Sequence, residues 1–265
     1  MTMVTETPRV ALVTGAGRGI GEAIARALAS VGHAVAVCDI DQGSAESVAL
    51  AIVGDHGDGS AIGVGIDVTD SVSVRSAFAQ VAERLGAVSI LVNNAGVISV
   101  APVVSLDESD WDRIMAVNAK GPFLCSREAL PFMVQQGWGR IVNIASDAAK
   151  TAEPYIAHYS ASKFAVVGLT QSIALEHAAN GVTANAICPA ITDTAMMTQL
   201  AEQMSAADPA GGDTAAWRRE FVREIPMMRP MGTDDIAATC LFLVSEGAQA
   251  ISGQALNVSG AHEVH

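Results

Sequence analysis

Short blocks of consecutive apolar residues recur along the chain, separated by longer stretches with helical spacing. Val10-Ala11-Leu12-Val13 is the first block and Ala34-Val35-Ala36-Val37-Cys38 the second. Ala61-Ile62-Gly63-Val64-Gly65-Ile66, Ile90-Leu91-Val92 and Gly139-Arg140-Ile141-Val142-Asn143-Ile144-Ala145 follow. Val182 to Cys188 and Gln254-Ala255-Leu256-Asn257-Val258 close the series. Apolar runs without polar alternation mark strands covered on both faces, as in parallel sheets. The intervening segments read as helices over 22–29, 42–54, 70–85, 107–136, 160–180 and 234–245. Strand and helix alternate at βαβ spacing, which predicts an α/β fold: one domain over residues 1–265 built on a doubly wound parallel sheet.

Two places depart from this rhythm. Asn118 falls inside the predicted helix 107–136, where an amide competes with the backbone; it is either a surface residue or part of a local distortion of the helix. Residues 195–228, within an insert over about 190–228, break the alternation and centre on Asp208-Pro209-Ala210-Gly211-Gly212-Asp213. A long insert over strand ends reads as a substrate lid. Its Met196, Met197, Met204, Trp217, Phe221, Met227 and Met228 offer an adaptable apolar cover.

The polar residues gather where the strands end. Gly15, Asp39, Asp67, Asn94 and Ser146 each follow the carboxyl end of an apolar block, where open α/β sheets hold their ligands. The first block runs into Thr14-Gly15-Ala16-Gly17-Arg18-Gly19-Ile20-Gly21 and then into a helix. Strand, glycine turn and helix form an arrangement in which backbone N–H groups receive a pyrophosphate. Ile20 occupies the position of the last glycine of G-x-G-x-x-G, so the fitting spacing is Thr-Gly-x-x-x-Gly-x-Gly through Gly15, Gly19 and Gly21. Asp39 closes the second strand and is placed to bond an adenosine ribose. It would repel a 2′-phosphate by several kcal/mol at ~4 Å. Ile40 and Asp41 follow, and Arg18 is the one nearby group suited to that phosphate, so NAD is favoured over NADP.

Tyr159 and Lys163 lie four apart on a predicted helix and share one face. A phenol titrates near pH ~10, and lowering that by about 3 units takes roughly 4 kcal/mol. An ammonium about 4 Å away, at an effective dielectric near 20, supplies on the order of 4 kcal/mol. The pair is therefore expected to make a general base.

Composition narrows the partners. A net charge of −13 and an aromatic fraction of 4% argue against nucleic acid and anionic lipid surfaces. Cys38, Cys125, Cys188 and Cys240 sit singly in apolar runs and read as buried thiols of a reducing compartment. No stretch has the length of a membrane span, so a soluble, cytoplasmic protein is expected. His262 and His265 stand at helical spacing near the terminus and are read as lacking partners, with no metal site there.

Taken together, Thr14-Gly15-x-x-x-Gly19-x-Gly21, Asn93-Asn94-Ala95-Gly96, Asn118, Ser146, Tyr159-x-x-x-Lys163, Pro189 with Thr194, and Ile251-Ser252-Gly253-Gln254 resemble the short-chain dehydrogenase/reductase family over nearly the whole chain. The resemblance implies a seven-stranded Rossmann sheet, a nicotinamide cofactor and a homotetramer. It implies that Tyr159 exchanges the hydroxyl proton, Lys163 holds the nicotinamide ribose, Ser146 bonds the substrate oxygen and Asn118 positions a relay water. By the same resemblance Gly15, Arg18, Gly19, Ile20 and Gly21 belong to the cofactor site with Asp39 and Ile40. Asp67, Val68, Asn94, Ala95 and Gly96 line it further on, and Pro189, Ile191 and Thr194 close it. Ala190 stands where a glycine is common, and Val258-Ser259-Gly260-Ala261 replaces Val-Asp-Gly-Gly.

The wording around Ser146-Asp147-Ala148 and Tyr159-Ser160-Ala161 looks like members acting on polyols, diols and other secondary alcohols. Asp147, Glu153 and His158 are candidates to bond extra hydroxyls, while Ala148, Ala190, Met196 and Met197 are candidate apolar contacts. The competing expectations are an NADPH-dependent 3-oxoacyl-thioester reductase and a non-catalytic nucleotide-sensing module.

Overall fold

The computed structural model describes residues 7–207 and 213–265. Seven strands form one parallel sheet in the order β3-β2-β1-β4-β5-β6-β7. They are β1 Val10–Thr14, β2 Ala34–Asp39, β3 Ala61–Gly65, β4 Ile90–Asn93, β5 Gly139–Ile144, β6 Val182–Pro189 and β7 Ala255–Val258. The chain starts at the sheet's centre, winds out to β3, returns past β1 to β4 and winds out to β7. The reversal lies between β1 and β4, where Ala11 pairs with Ile90 and Val13 with Val92.

Helices cover both faces. Strand side chains alternate between faces, so Ala11 and Val13 pack with Ile24, Leu28, Ile52 and Ile236, whereas Leu12 packs with Val74, Val81, Leu124 and Met133. One face thus carries α1 (Gly19–Ser30), α2 (Gln42–His56) and α9 (Thr233–Val244); the other carries α3 (Ser71–Arg84), α5 (Gly121–Gln136) and α6 (Ala157–His177). Burial on both faces is why the strands read as unbroken apolar runs. Asp41 caps α2 through the Ser44 N–H, and Asp70 caps α3 through those of Val72 and Ser73.

Two expectations change, and the insert is helical as expected. Helix α1 begins at Gly19 rather than Glu22, so the end of the glycine segment, Gly19 to Gly21, forms part of the helix's first turn. The single helix expected over 107–136 is three pieces: α4 (Glu108–Met115), a wide π turn (Ala116–Lys120) and α5. Asn118 is the reason, because its amide bonds the backbone of a neighbouring loop; the distortion reading is the right one, and Asn118 is buried. The insert after β6 is a helix pair, α7 (Ala195–Ala207) and α8 (Thr214–Glu224). Of its expected centre at 208–213, residues 208–212 lie outside the described residues, and Asp213 caps α8. Among the described residues no helix is long and apolar enough to cross a membrane, and the four cysteines are buried and free.

The chain ends in a tail that turns back from β7. The Ser259 hydroxyl donates to the Glu263 carbonyl and accepts from the Glu263 N–H. Thr151 donates to the Glu263 carboxylate at 2.6 Å, and Lys150 Nζ to the His265 carbonyl. Within this turn Ala261 adopts φ 69°, a left-handed conformation that its Cβ opposes. Ala261→Gly is expected to stabilise the protein by up to about 1 kcal/mol, visible as a rise of roughly 2–4 °C in a thermal melt.

Candidate active site

The carboxyl ends of β1, β4, β5 and β6 meet above the sheet, and short-range hydrogen bonds fix their loops. The Thr14 hydroxyl accepts from the N–H groups of both Asn94 and Ala95 at 3.0 Å. Asn94 Nδ2 donates in return to the carbonyls of Thr14 and Gly15 at 2.9 Å. The two loops at the sheet's reversal are therefore locked together. Gly21 is required by this closeness: a Cβ there would stand 2.3 Å from the Gly15 carbonyl oxygen and 2.5 Å from Asn94 Nδ2. Gly19 has φ +63° and only Thr194 Cγ2, at 3.8 Å, near the position of a Cβ, and it lines the cleft.

Asp39 has two bonds that hold its carboxylate at the end of β2. Oδ2 accepts from the Gly17 N–H at 2.9 Å and Oδ1 from the Asp41 N–H at 3.1 Å. Spacing alone does not single out Gly17, yet a Cβ on it would reach to 3.0 Å from the Asp39 carboxylate and 2.8 Å from Ser44 Cβ. Asp67 is held in a similar way, with Oδ1 accepting from the N–H and hydroxyl of Thr69. Arg18, Asp39, Ile40, Asp67 and Val68 line one side of a cleft of about 470 Å³; Gly15, Gly19, Asn94, Ala95 and Gly96 also belong to it. An extended nucleotide fits this lining: the N-terminus of α1 at Gly19, a fixed acceptor at Asp39 and a second at Asp67.

The cleft joins a smaller cavity of about 160 Å³, with Ile20, Asn94, Gly96 and Thr194 common to both. Ser146, Tyr159 and Lys163 line this cavity. Tyr159 and Lys163 are exposed by only 9% and 4%. Lys163 Nζ donates to the Ile144 carbonyl at 2.8 Å and lies 5.5 Å from the centre of the Tyr159 ring. Burial pushes the Tyr159 phenol up to about 12, against the opposing pull of the Ser146 hydroxyl beside it. Burial also brings Lys163 down to about 8. The expectation that the ammonium alone makes a low-titrating phenol is thus corrected. The two groups share a face, and loss of water is the largest influence on each.

Asn118 completes the group from behind. Its Oδ1 accepts from the Val97 N–H, and its Nδ2 donates to the Val97 carbonyl and, at 3.1 Å, to the Ser162 hydroxyl. The π turn thereby clamps the loop after β4 against α6. A second buried ladder is not evident from the sequence: Asn93 Nδ2 donates to Asn143 Oδ1 and the Ser126 hydroxyl, and Asn143 Nδ2 to the Thr170 hydroxyl. Asn143 reads simply as part of a strand; a buried amide inside an apolar run is the signal that could have found it.

Of the candidate substrate residues, Asp147, Ala148 and Glu153 line the small cavity, as do Ala190, Met196 and Met197. Pro189, Ile191 and Thr194 lie there too. His158 does not: it is fully buried, with Nε2 2.7 Å from the Ser99 hydroxyl, facing α4 rather than the cavity. From the insert, Leu200 and Phe221 complete the apolar wall, and Trp217 stacks on Phe221 at 4.9 Å. Met227 and Met228 are exposed and outside the wall. The tail histidines do have partners: His262 Nδ1 is 3.2 Å from Asp147 Oδ2, and His265 Nδ1 is 3.3 Å from Glu263 Oε1.

The family model described as short chain dehydrogenase matches residues 9–205. The chain is 39% identical over 256 residues to a D-threitol dehydrogenase of Mycolicibacterium smegmatis, covering 97% of this chain and 93% of that one. It is 36% identical to an L-2,3-butanediol dehydrogenase of Corynebacterium glutamicum, covering 95% and 97%. A 3-oxoacyl-acyl-carrier-protein reductase of Aquifex aeolicus is 34% identical, covering 95% and 96%. Among solved structures, sorbitol-6-phosphate 2-dehydrogenase from Erwinia amylovora superposes with a TM-score of 0.92 at 33% identity, covering 96% of this chain and 100% of that one. NAD⁺-bound xylitol dehydrogenase gives 0.90 at 29%, covering 96% and 98%. A gluconate 5-dehydrogenase from Burkholderia cenocepacia in complex with NADP and tartrate gives 0.87 at 32%, covering 97% and 96%. The chain belongs to the short-chain dehydrogenases, Rossmann-fold oxidoreductases that act on CH–OH groups with a nicotinamide nucleotide.

Proposed function

We propose that this protein is an NAD-dependent dehydrogenase of small secondary alcohols, diols and polyols, with Tyr159 as the group that takes the hydroxyl proton. The observation that carries this reading is the buried Ser146–Tyr159–Lys163 cluster, placed where the small cavity meets a cleft ending at Asp39. When bound, the oxidised nicotinamide supplies a hydride acceptor.

The chain's own residues do the rest. Gly15, Gly19 and the start of α1 receive the pyrophosphate, Asp39 bonds the adenosine ribose and Lys163 the nicotinamide ribose. Ser146 bonds the substrate oxygen and stabilises the charge that develops on it. Tyr159 accepts the proton. Its phenol titrates high in the protein itself, and a positively charged ring beside it favours the phenolate. Asn118, through the π turn, keeps the loop after β4 in register with α6 and positions a water that carries the proton outward. Helices α7 and α8 act as the substrate lid, with Met196, Met197 and Phe221 excluding water from the reacting carbon.

Polyol and diol dehydrogenases among the relatives support the substrate class, as do the carboxylates of Asp147 and Glu153 in a mostly apolar cavity. The relative named as a 3-oxoacyl-acyl-carrier-protein reductase supports a second reading, NADPH-dependent reduction of a 3-oxoacyl thioester. Asp39 disfavours it, because a carboxylate that would hold the adenosine ribose would repel a 2′-phosphate on it. A non-catalytic nucleotide sensor has no need of the buried Ser–Tyr–Lys cluster. Assembly as a homotetramer is supported by apolar residues left exposed on α5 and α6, namely Phe123, Phe164 and Leu175, and size-exclusion chromatography with light scattering tests it.

A panel of diols, polyols, mono-alcohols and 3-oxoacyl thioesters, followed by NADH and NADPH absorbance, tests the substrate class. Turnover only with thioesters and NADPH replaces this reading with the second. Tyr159→Phe is expected to lower kcat roughly 10²–10⁴-fold while NAD binding, read by fluorescence titration, stays within a few-fold. Asp39→Ser is expected to move the NADP-to-NAD ratio of kcat/KM upward by about tenfold or more.

A further inference from the structure

The chain's C-terminal tail reaches the site just described. Its His262 is mostly buried, with the imidazole Nδ1 3.2 Å from Asp147 Oδ2. The other oxygen of that carboxylate, Oδ1, accepts from the Ser146 hydroxyl at 2.9 Å and from the Ala148 N–H at 2.8 Å. Ser146 in turn stands beside the Tyr159 phenol. The four residues therefore stand in series from the tail to the reacting groups, His262, Asp147, Ser146, Tyr159, the first link being a close charge contact of Nδ1 with the carboxylate rather than an aligned hydrogen bond.

The tail is built to hold this contact. Ser259 and Thr151 both bond Glu263, and Lys150 bonds the last carbonyl, so the tail is fastened to the turn that carries Asp147. Ala261, the residue before His262, takes a left-handed backbone that only tertiary contacts can hold. His262 Nε2 also lies 3.9 Å from Glu224, and its ring is 6.0 Å from that of Phe221, both on α8.

We propose that His262 is a positioning residue: by pairing with Asp147 it limits that carboxylate's hold on the Ser146 hydroxyl and leaves Ser146 free to serve the substrate oxygen. The proposal rests on the catalytic reading given above. An unpaired carboxylate is a strong acceptor and would keep the Ser146 proton for itself. Its charge would also oppose ionisation of Tyr159, a repulsion already present from Asp147. An imidazolium beside Asp147 offsets both effects. Asp147 in turn raises the pKa of His262, with Glu153 and Glu224 adding to it against the cost of burial. The other charged groups near this line are Lys163, Lys150 and the Glu263–His265 pair, and the Cys188 thiol faces Tyr159.

The test is the pH profile of kcat/KM for alcohol oxidation, measured on the full chain with saturating NAD. His262→Gln is expected to move the ascending limb upward by roughly half a unit and to lower kcat more than it raises KM. Asp147→Asn is expected to move the same limb downward. In the double variant His262→Gln adds nothing to Asp147→Asn, because its partner charge is gone. Shifts of the same sign, additive effects, or a limb unmoved by His262→Gln overturn the proposal; a merely structural tail would give one of these. Thermal melts accompany each variant. If His262→Gln folds poorly, Asp147→Asn decides alone, and a limb that fails to fall is fatal. Retained turnover in Tyr159→Phe would instead remove the catalytic reading, which this comparison does not touch.

Discussion

Parallel strands all end on one edge of their sheet, and every functional feature of this chain follows from that constraint. Each strand needs a return helix, so no strand end can be covered by a tight hairpin. The edge stays open, and polar residues collect there because the buried strands cannot hold them. Thr14, Asn93, Asn94, Asn143 and Ser146 stand on this edge or inside it, and most of them spend their hydrogen bonds fastening one strand end to the next. The lock between Thr14-Gly15 and Asn94-Ala95 has four bonds and spans the reversal between β1 and β4. A cleft there is shaped by backbone and short side chains, which accounts for the close glycine packing at Gly21.

Burial sets the electrostatics of that edge. Tyr159 and Lys163 lose water together, so each is pushed toward its neutral form, the phenol upward and the amine downward. Coulomb's law applied to the pair treats both as charges in a fairly polar medium and leaves out that loss. What helps a buried phenol to ionise is positive charge placed close by at the moment of reaction, together with a hydrogen-bond donor. Ser146 is the donor in reach, which makes the other demands on its hydroxyl matter.

Much of this is readable from residues alone. Continuous apolar blocks identify parallel strands, because a run that short with no polar alternation must be buried on both faces. Tyr159, Lys163, Ser146 and Asn94 do line one cavity, the last two because they follow strand ends and the first two because they share a face of α6. The break in the helix at Asn118 is ambiguous in sequence, since an amide in a helix interior carries the same local signal whether it faces solvent or a neighbouring loop. His158 is misplaced by sequence because a residue next to Tyr159 on a helix points about 100° away from it, toward α4. The Asn93–Asn143–Thr170 ladder joins residues far apart in sequence, and no local pattern carries such a contact. The tail escapes for the same reason: it depends on a left-handed Ala261, a conformation that alanine's own preferences do not suggest.

That tail changes how the edge should be viewed. The strand-end loops are fixed by hydrogen bonds between neighbours in the sheet, but the turn carrying Asp147 sits between β5 and α6, where the sheet offers no such neighbour. Asp147 has Ser146 and Ala148 on one oxygen and His262 on the other, so its second anchor comes from the far end of the chain. The same histidine touches α8 through Phe221 and Glu224. One imidazole thus links α8, whose Phe221 forms part of the small cavity's wall, to the carboxylate that accepts from the Ser146 hydroxyl. A shift of α8 that disturbed His262 would be felt at Ser146 without any change in the sheet. The edge of the sheet is thus held by bonds between neighbouring strand ends, and the turn beside it by contacts with the tail and α8.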